Sequence, residues 1–458
     1  MAGLIALSGC SSYAVVDNKP TSTVVNTAPY SFKKAADKQD QGEVTLLLAF
    51  SGGGTRAAAL AYGVLQELRD TRVTVQGTPQ QLLDEVDVIS SVSGGSFTSA
   101  YYGLNGNGIF EDFEEKFLRH DVQGLLIKRV LNPKRWFKST DRTEEAIQLY
   151  QERVFHNATF ADLQKKDGPL IVINASDLGR GVRISFLQEY FNLLCSDLSS
   201  FSVARAVTAS SAVPFLFSPV VLENYHTCDK QSKTIQIAEA NALNKLQLLE
   251  SVQGLKSYFS DNNNEDESRH YVHLVDGGIT DNLGLRAIYE IVELGGPAEF
   301  LRSANKKPTR ALAIIAVDAS TQRIPAMNFS SEQPTLEETT NAVTDIQIHK
   351  YSVTTQELLQ NSIKSWTKQL STPRHTIKPY YIETNFTGIQ NIAQLASLNT
   401  IPTSFSLTND QVDTLIASGR QLLRNNPEFQ RLIYDLNGRL STQKIRLPPT
   451  QLAQEQTP

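Results

Sequence analysis

The sequence lacks the features that define several classes of protein. No apolar run beyond the N-terminus is long enough to span a bilayer, and the run Ala311–Val317 is bounded by Arg310 and Asp318. Three cysteines in 458 residues exclude a disulfide-rich scaffold and a four-cysteine zinc site. Basic charge is not in excess: 43 Lys and Arg against 48 Asp and Glu give a formal charge of −5, which argues against a general nucleic-acid binder. With 40% apolar and 20% charged residues, the composition is that of an ordinary globular protein.

The first twelve residues, MAGLIALSGCSS, combine a short apolar core with a cysteine. Leu7–Cys10 resembles the lipobox of bacterial lipoproteins, in which a signal segment is removed and the cysteine is acylated. The apolar core is shorter than usual and has no basic start; the competing interpretation is an ordinary disordered terminus. We predict a signal segment at 1–9, lipid attachment at Cys10 and a flexible tether over 10–43. The lipid would hold the protein at a membrane surface in the bacterial envelope, at the outer membrane facing the periplasm.

The other two cysteines, Cys195 and Cys228, have two interpretations. In an exported protein they can form a disulfide. The alternative is a pair of buried free thiols, because the sequence does not show whether their Cα atoms approach closely enough.

A short apolar strand, a glycine-rich break and a helix occur in that order twice. Val44–Phe50 precedes a helix over Ala57–Arg69, and Val86–Val92 precedes a helix that continues through Tyr102. This order predicts an α/β fold with a mainly parallel sheet covered by helices on both faces. Other apolar runs predict further strands at Leu170–Asn174, Tyr271–Val275 and Ala311–Val317.

The rest of the chain is assigned by composition and periodicity. We predict a core over 44–320 with a partly helical insertion near 224–270, and a helical C-terminal extension over 321–458 packed on that core. Helices are expected near Glu337–Gln369 and Asn409–Asn437.

The first glycine-rich site is Gly52-Gly53-Gly54-Thr55-Arg56, between a predicted strand and a helix. Backbone N–H groups and the helix N-terminus make such a loop suitable for an anion. A phosphate-binding P-loop requires a Gly-Lys-Ser/Thr ending, which is absent. The spacing of Gly52, Gly54 and Ala57 matches a dinucleotide site, and an oxyanion hole with Arg56 as a fixed charge is the third interpretation. A tight structural turn is the fourth.

The second site, Ser91-Val92-Ser93-Gly94-Gly95, follows a strand and precedes a helix, as in a nucleophile elbow. The elbow is strained, so the positions two residues before and after the serine must be small. Around Ser93 they are Ser91 and Gly95, which fit. Around Ser91 one of them would be the bulky Ile89. Ser93 is therefore the preferred nucleophile, and a serine that caps the helix is the competing interpretation.

The third site, Asp276-Gly277-Gly278, follows the predicted strand Tyr271–Val275. Asp-Gly is a common turn dipeptide, which is the ordinary explanation. The alternative is a carboxylate at the carboxyl end of a strand, where ligands bind in open α/β sheets, positioned to accept a proton from Ser93.

The three sites in this order resemble the patatin-like phospholipase family, which has a GGGxR/K oxyanion loop, a GxSxG serine and a DGG/A aspartate. The segments Asn174–Asp177 and Ala209–Phe215 are similar to two further blocks of that family, and the resemblance covers roughly Val44 to Val317. The serine motif departs from it at Ser91, which stands where the family has glycine.

The resemblance implies a three-layer patatin-like fold and a Ser-Asp dyad, Ser93 and Asp276, with no catalytic histidine. It also implies an oxyanion hole in the loop Gly52, Gly53 and Gly54 with Arg56, and no cofactor or metal. The substrate class would be phospholipids or related lipid esters, cleaved through an acyl-enzyme. The alternatives are an esterase or thioesterase on other acyl groups, a catalytically idle lipid-binding lipoprotein and, more distantly, a nucleotide-binding enzyme. No protein partner is assigned.

Residues near these sites receive structural interpretations. Asp177 either lines the pocket or occupies a turn after its strand, and the block Ala209–Phe217 is expected to pack beneath the site. Asp281 and Asn282 are expected to cap the following helix. His273 is predicted to be an ordinary strand residue on the face opposite Asp276.

Overall fold

The structure is a computed structural model. It describes residues 14–23, 30–32, 43–121, 124, 142–214, 216–228, 239–243, 245–258, 269–295, 309–322, 326–329, 331–445 and 447. The predicted signal segment at 1–9 and the predicted lipid attachment site Cys10 lie outside these residues. Within the described segments, no helix combines the length and the apolar character needed to cross a bilayer.

The described strands form one large sheet and two small ribbons. Their bounds are β1 Lys19–Pro20, β2 Val44–Phe50, β3 Arg72–Val75, β4 Thr78–Gln81, β5 Val86–Val92, β6 Leu170–Asp177, β7 Val182–Ser185, β8 Ser196–Asp197, β9 Val220–Glu223, β10 Tyr271–Val275, β11 Ala311–Val317 and β12 Lys378–Thr384. The order across the large sheet is β12-β11-β2-β5-β6-β10-β9, with β7 also paired to β6.

The sheet is parallel from β12 to β6 and antiparallel beyond it, where β10 runs opposite to both β6 and β9. Every residue of β2, β6 and β11 is buried, because helices cover both faces of the sheet. This explains why these strands are continuous apolar runs rather than alternating ones. The predicted α/β class with a mainly parallel, helix-covered sheet is confirmed.

The described helices flank this sheet. Their bounds are α1 Gly54–Asp70, α2 Gly94–Asn105, α3 Ile109–Phe113, α4 Arg142–Arg153, α5 Phe160–Gln164, α6 Gln188–Asn192, α7 Val203–Ser210, α8 Leu246–Lys256, α9 Gly278–Asp281, α10 Leu285–Gly295, α11 Leu336–Leu370, α12 Ile392–Thr400, α13 Asn409–Asn425 and α14 Pro427–Asp435. α1 begins at Gly54, within the glycine loop, and α2 begins at Gly94, directly after the predicted nucleophile.

The C-terminal region is joined to the core at a helix crossing. In α1, a Cβ on Gly63 would lie 2.2 Å from the carbonyl oxygen of Ile416, and in α13 a Cβ on Gly419 would lie 2.4 Å from that of Leu60. The two backbones can approach this closely only because glycine occupies both positions. Helix α13 therefore belongs to the layer that covers the sheet.

The C-terminal region also contains a strand, which the helical extension predicted over 321–458 did not include. β12 pairs in parallel with β11 along its whole length, from Lys378 to Thr384. Its burial alternates, and it includes Pro379, which is tolerated because β12 is an edge strand. A proline within a partly polar run disfavours a strand in a sequence-based interpretation, which is the physical reason that the prediction omitted it.

In the segment 10–43, predicted to be a flexible tether, the structure describes residues 14–23, 30–32 and 43, and this described part is docked on the body. Asn18 donates from Nδ2 to Ser196 Oγ at 3.1 Å and to the carbonyl oxygen of Glu223 at 2.9 Å. Tyr30 is buried, and its hydroxyl donates to the carbonyl oxygen of Ile171 at 2.9 Å. Polar composition suggested a free linker, but these polar side chains have specific partners on the core.

Cys195 and Cys228 are joined in a disulfide with a Cα–Cα distance of 5.5 Å, which decides between the two interpretations of these cysteines. The bond lies beside the docked N-terminal segment, since the backbone N–H of Thr21 donates to the carbonyl oxygen of Cys195 at 2.8 Å. The disulfide therefore fixes the chain against which the N-terminal segment pairs.

Candidate active site

The glycine loop and the serine turn meet because the strands before them are neighbours. β2 and β5 run parallel with Phe50 beside Ser91, so their carboxyl ends lie at the same edge of the sheet. The contact between the two turns is close: a Cβ on Gly94 would lie 1.9 Å from the carbonyl oxygen of Gly54. Only glycine can occupy position 94.

Ser93 adopts the strained conformation expected of a nucleophile elbow, with φ 49° and ψ −122°. For a residue other than glycine, such a backbone conformation costs about 1–3 kcal/mol of folding free energy. A Cβ on Gly95 would lie 2.7 Å from the carbonyl oxygen of Ser51, so that position requires glycine. Ser91 is accommodated where the family has glycine because its hydroxyl turns into the core and accepts a hydrogen bond from Ser99 Oγ at 2.6 Å.

Ser93 and Asp276 are in direct contact, as the sequence predicted. Ser93 Oγ donates to Asp276 Oδ2 at 2.8 Å, and the backbone N–H of Gly278 donates to Oδ1 at 2.7 Å. Asp276 is only 8% exposed, and this burial raises the pKa of its carboxyl group to about 6, although the two hydrogen bonds lower it in part. The carboxylate is therefore a stronger base than a solvated aspartate.

Asp276 reaches this edge of the sheet from an antiparallel strand, which corrects the reason given for its position. β10 runs opposite to β6 with Val275 beside Ser176, so the chain descends past the carboxyl end of β6 before it turns. A Cβ on Gly277 would lie 2.3 Å from the carbonyl oxygen of Asn174, which is paired with Val92 immediately before Ser93. Asp276 therefore does not lie here because a parallel strand ends at this edge of the sheet. It lies here because β10 runs antiparallel to β6 and passes its carboxyl end.

Ser210 holds the serine turn from below. Its hydroxyl accepts from the backbone N–H of Ser93 at 2.8 Å and donates to the carbonyl oxygen of Asn174 at 2.6 Å. Its own carbonyl oxygen accepts from the N–H of Gly277 at 3.0 Å. The block expected to pack beneath the site therefore connects the serine turn to the aspartate turn.

The glycine loop presents two backbone donors rather than three. The N–H of Gly52 donates to the carbonyl oxygen of Asn282 at 2.9 Å, so Gly52 belongs to the predicted oxyanion loop but is not one of its available donors. Gly53 and Gly54 have φ of 134° and 60°, conformations that favour glycine. Within the described residues their N–H groups have no acceptor, which leaves both available to a bound anion.

Arg56 holds the glycine loop in place by hydrogen bonds, in addition to carrying a positive charge. Its Nε donates to the carbonyl oxygen of Ala319 and its Nη1 to that of Ile401, both at 2.8 Å. Its Nη2 lies 3.3 Å from the position that a Cβ on Gly53 would take. The buried guanidinium therefore sits behind the glycine loop and ties it to two distant segments, instead of projecting into the space above Ser93.

The C-terminal segment near residue 404 completes the loop's surroundings. The carbonyl oxygen of Ser404 accepts from the N–H of Thr55 at 2.8 Å and lies 2.5 Å from the position of a Cβ on Gly54. Phe405 contacts Phe97, one turn after Ser93, with ring centroids 6.1 Å apart. Sequence reasoning missed these contacts, because no local pattern connects residues 401–405 with the glycine loop.

This geometry agrees with the result of comparing the chain with protein families. The model of the family described as patatin-like phospholipase matches residues 48–289, which is more than half of the chain and includes all three turns of the site. The chain belongs to the patatin-like phospholipase family. Among curated proteins, no sequence matches this one.

The chain is also similar to solved structures of two proteins. Human GIVD cytosolic phospholipase A2 is 12% identical, with a TM-score of 0.44, over 94% of this chain and 66% of the human one. VipD from Legionella pneumophila is 11% identical, with a TM-score of 0.32, over 88% of this chain and 68% of VipD. The chain thus spans slightly less than two thirds of the length of the human enzyme.

Within this patatin-like chain, Asp177 does not point into the site but ties down the insertion. Its carboxylate accepts from Arg269 Nη2 at 2.8 Å and from the hydroxyl of Tyr258 at 2.6 Å, and it is fully buried. The described insertion helix α8 packs against β7, where a Cβ on Gly254 would lie 2.1 Å from Val182 Cγ1. The insertion is therefore fixed to the side of the sheet through a partly buried ion pair.

The remaining sequence-predicted residues have structural positions. Asp281 caps α10 as expected, accepting from the N–H of Arg286 at 3.1 Å and of Ala287 at 2.9 Å. His273 is exposed on β10, and the hydrogen bonds of Ser93 and Asp276 involve no histidine in the described part of the chain. Nor do the described residues bring together a cluster of His, Cys, Asp or Glu that could hold a metal ion.

The buried carboxyl of Asp276 makes protein stability depend on pH. Because its pKa is raised from 3.8 to about 6 on folding, its contribution is fully favourable below about pH 4 and is lost as the pH rises through 6. An Asp276→Asn variant carries no such penalty, and its amide can still accept from Gly278 and donate to Ser93. We expect the stability of this variant relative to wild type to rise by up to about 3 kcal/mol between pH 4 and pH 8, measured by guanidinium unfolding.

The matched control is Glu111→Gln, which also removes an exposed carboxyl, and its stability relative to wild type should change little between the two pH values. An equal stability offset of Asp276→Asn at pH 4 and pH 8 would show that Asp276 is solvated, contrary to the structure.

Proposed function

We propose that this chain is a serine acyl hydrolase that cleaves phospholipids or related lipid esters through a Ser93–Asp276 dyad. Family membership supports lipid acyl hydrolysis in general. The observation that carries the finer proposal is the 2.8 Å hydrogen bond from Ser93 Oγ to the buried carboxylate of Asp276. No other base contacts Ser93 Oγ among the described residues, so the carboxylate is the group positioned to take its proton.

In the first half-reaction, Ser93 Oγ attacks the ester carbonyl carbon while its proton moves to Asp276 Oδ2. The carbonyl oxygen becomes negatively charged and accepts hydrogen bonds from the free N–H groups of Gly53 and Gly54. Loss of one such donor typically costs about 2.7–4 kcal/mol in the transition state. The bond to the alcohol oxygen then breaks, and the alcohol leaves with the proton from Asp276.

In the second half-reaction, water attacks the acyl-Ser93 carbonyl carbon and gives its proton to Asp276. Collapse of this second oxyanion releases the fatty acid and returns the proton to Ser93 Oγ. The same two residues and the same loop serve both halves, so the chemistry requires no histidine and no metal ion.

The direct test is hydrolysis of phospholipids with labelled acyl chains by wild type, Ser93→Ala and Asp276→Asn. Both variants should lose at least about a thousandfold in rate, because each removes one half of the proton-transfer pair. Ser91→Ala is the matched control, since its hydroxyl faces the core, and it should retain activity.

Each other outcome has a definite meaning. Variant rates equal to wild type would show that the dyad is wrong. Hydrolysis of soluble esters or thioesters without any lipid hydrolysis would support the esterase alternative. A protein that binds lipid but whose Ser93 does not react with a fluorophosphonate would be an idle binding protein.

We also propose that the protein is anchored by lipid at Cys10 in the bacterial envelope. The supporting observations are the lipobox-like Leu7–Cys10 segment and the Cys195–Cys228 disulfide, which is typical of exported proteins. We expect mass spectrometry of a membrane fraction to find an acylated peptide that begins at Cys10. Recovery of the protein in the soluble fraction with unmodified Met1 would contradict this.

A further inference from the structure

One polar side chain at the site has no role in the dyad or in the oxyanion loop as described so far. Asn282 follows the short helix α9, which begins two residues after Asp276. The sequence suggested that it caps the next helix, but the capping is done by Asp281. Asn282 must therefore be explained in another way.

The position of Asn282 is fixed by its backbone. Its carbonyl oxygen accepts from the N–H of Gly52 at 2.9 Å, so Asn282 is attached to the first residue of the glycine loop. The next residues, Leu283 to Leu285, are buried, and Gly284 packs with φ 70° against the backbone of Ser90. The backbone of Asn282 is therefore held in place between the aspartate turn and the glycine loop.

The carboxamide of Asn282 lies beside the nucleophile. The position that a Cβ on Gly52 would take is 2.7 Å from Asn282 Oδ1 and 3.3 Å from Ser93 Cβ, so both side chains border the same small space. On the other side, a Cβ on Gly278 would lie 3.1 Å from Asn282 Oδ1 and 3.0 Å from Asp276 Oδ1. The amide therefore stands between the glycine loop and the dyad, and glycines at 52 and 278 keep the space around it open.

This carboxamide has unused hydrogen-bonding capacity. Among the described residues its Oδ1 and Nδ2 atoms form no hydrogen bond, and the side chain is half-buried. A polar group that is partly removed from water normally has a partner, and an amide offers two donors and an acceptor. A ligand at Ser93 would supply that partner.

We propose that the carboxamide of Asn282 hydrogen-bonds to the ester group of the substrate bound at Ser93 and Asp276. This inference rests on the proposed function and extends it by adding a third substrate-contacting element to the dyad and to the loop donors Gly53 and Gly54. An ester has only acceptor oxygens, so Asn282 Nδ2 is the donating atom. The bond orients the ester for attack by Ser93 Oγ.

The test uses the full chain and four variants: Asn282→Ala, Asn282→Asp, Gly52→Ala and the double variant Gly52→Ala/Asn282→Ala. Asn282→Ala should lower kcat/KM for ester hydrolysis by about ten- to hundredfold, the usual effect of removing a hydrogen bond to the reacting group. Asn282→Asp keeps the shape but loses the donor, so it should not restore activity. Asn107→Ala, an exposed asparagine, is the control and should match wild type.

Gly52→Ala tests the location of the amide. Its new methyl would occupy the point 2.7 Å from Asn282 Oδ1 and displace the carboxamide, so this variant alone should also lose activity. If both single changes remove the same contact, the double variant should be no worse than the worse single variant. Thermal unfolding of each variant shows whether a loss is due to misfolding.

The outcomes separate this inference from the proposed function. Full activity of Asn282→Ala alongside an inactive Ser93→Ala would overturn the role of Asn282 and leave the dyad intact. Rescue by Asn282→Asp would also overturn it, since shape rather than donation would then suffice. An active Ser93→Ala would refute the proposed function itself.

Discussion

The hydrogen bond between Ser93 Oγ and the buried carboxylate of Asp276 is the interaction on which the proposed chemistry depends. A serine hydroxyl needs a base, and a solvated aspartate is a poor one. Burial changes this, because it disfavours the charged form and raises the pKa of Asp276 to about 6. The same burial destabilises the folded protein at neutral pH, where the carboxylate is charged. The strained backbone of Ser93 is a second free-energy cost, and the surrounding structure must compensate for both.

That compensation comes from backbone contacts that only small residues permit. Gly94 lies against Gly54, Gly277 lies against Asn174, and Ser210 bridges the turn of Ser93 and the strand beneath it. The first contact joins the turns that follow β2 and β5, and the other two join the aspartate turn and the serine turn to Asn174 in β6. The site is therefore rigid because the sheet sets the positions of three chain reversals, and a single loop could not hold this geometry alone.

Much of this arrangement is predictable from the sequence, for identifiable reasons. Strands such as Val44–Phe50 are continuous apolar runs. The turns after them contain glycines, which can be recognised from their position between a strand and a helix. The choice of Ser93 over Ser91 followed from steric limits on its own neighbours. Such local constraints are visible in a single chain.

The parts that sequence reasoning missed depend on contacts between distant segments. β12 is an edge strand containing Pro379, Arg56 donates a hydrogen bond to Ile401, and Ser404 contacts Gly54 across 350 residues. The N-terminal residue Asn18 looks like part of a linker until its partners Ser196 and Glu223 are known. The antiparallel course of β10 likewise depends on its neighbours in the sheet. None of these features has a local pattern from which it can be inferred.

The central claim, that a buried Asp276 activates Ser93, is tested most directly by the pH dependence of Ser93 labelling by a fluorophosphonate. The account predicts that the rate constant for inactivation rises with pH through a single ionisation near 6 and reaches a plateau, and that Asp276→Asn abolishes this rise and reacts slowly throughout. An inactivation rate that is the same in wild type and Asp276→Asn at every pH would contradict it.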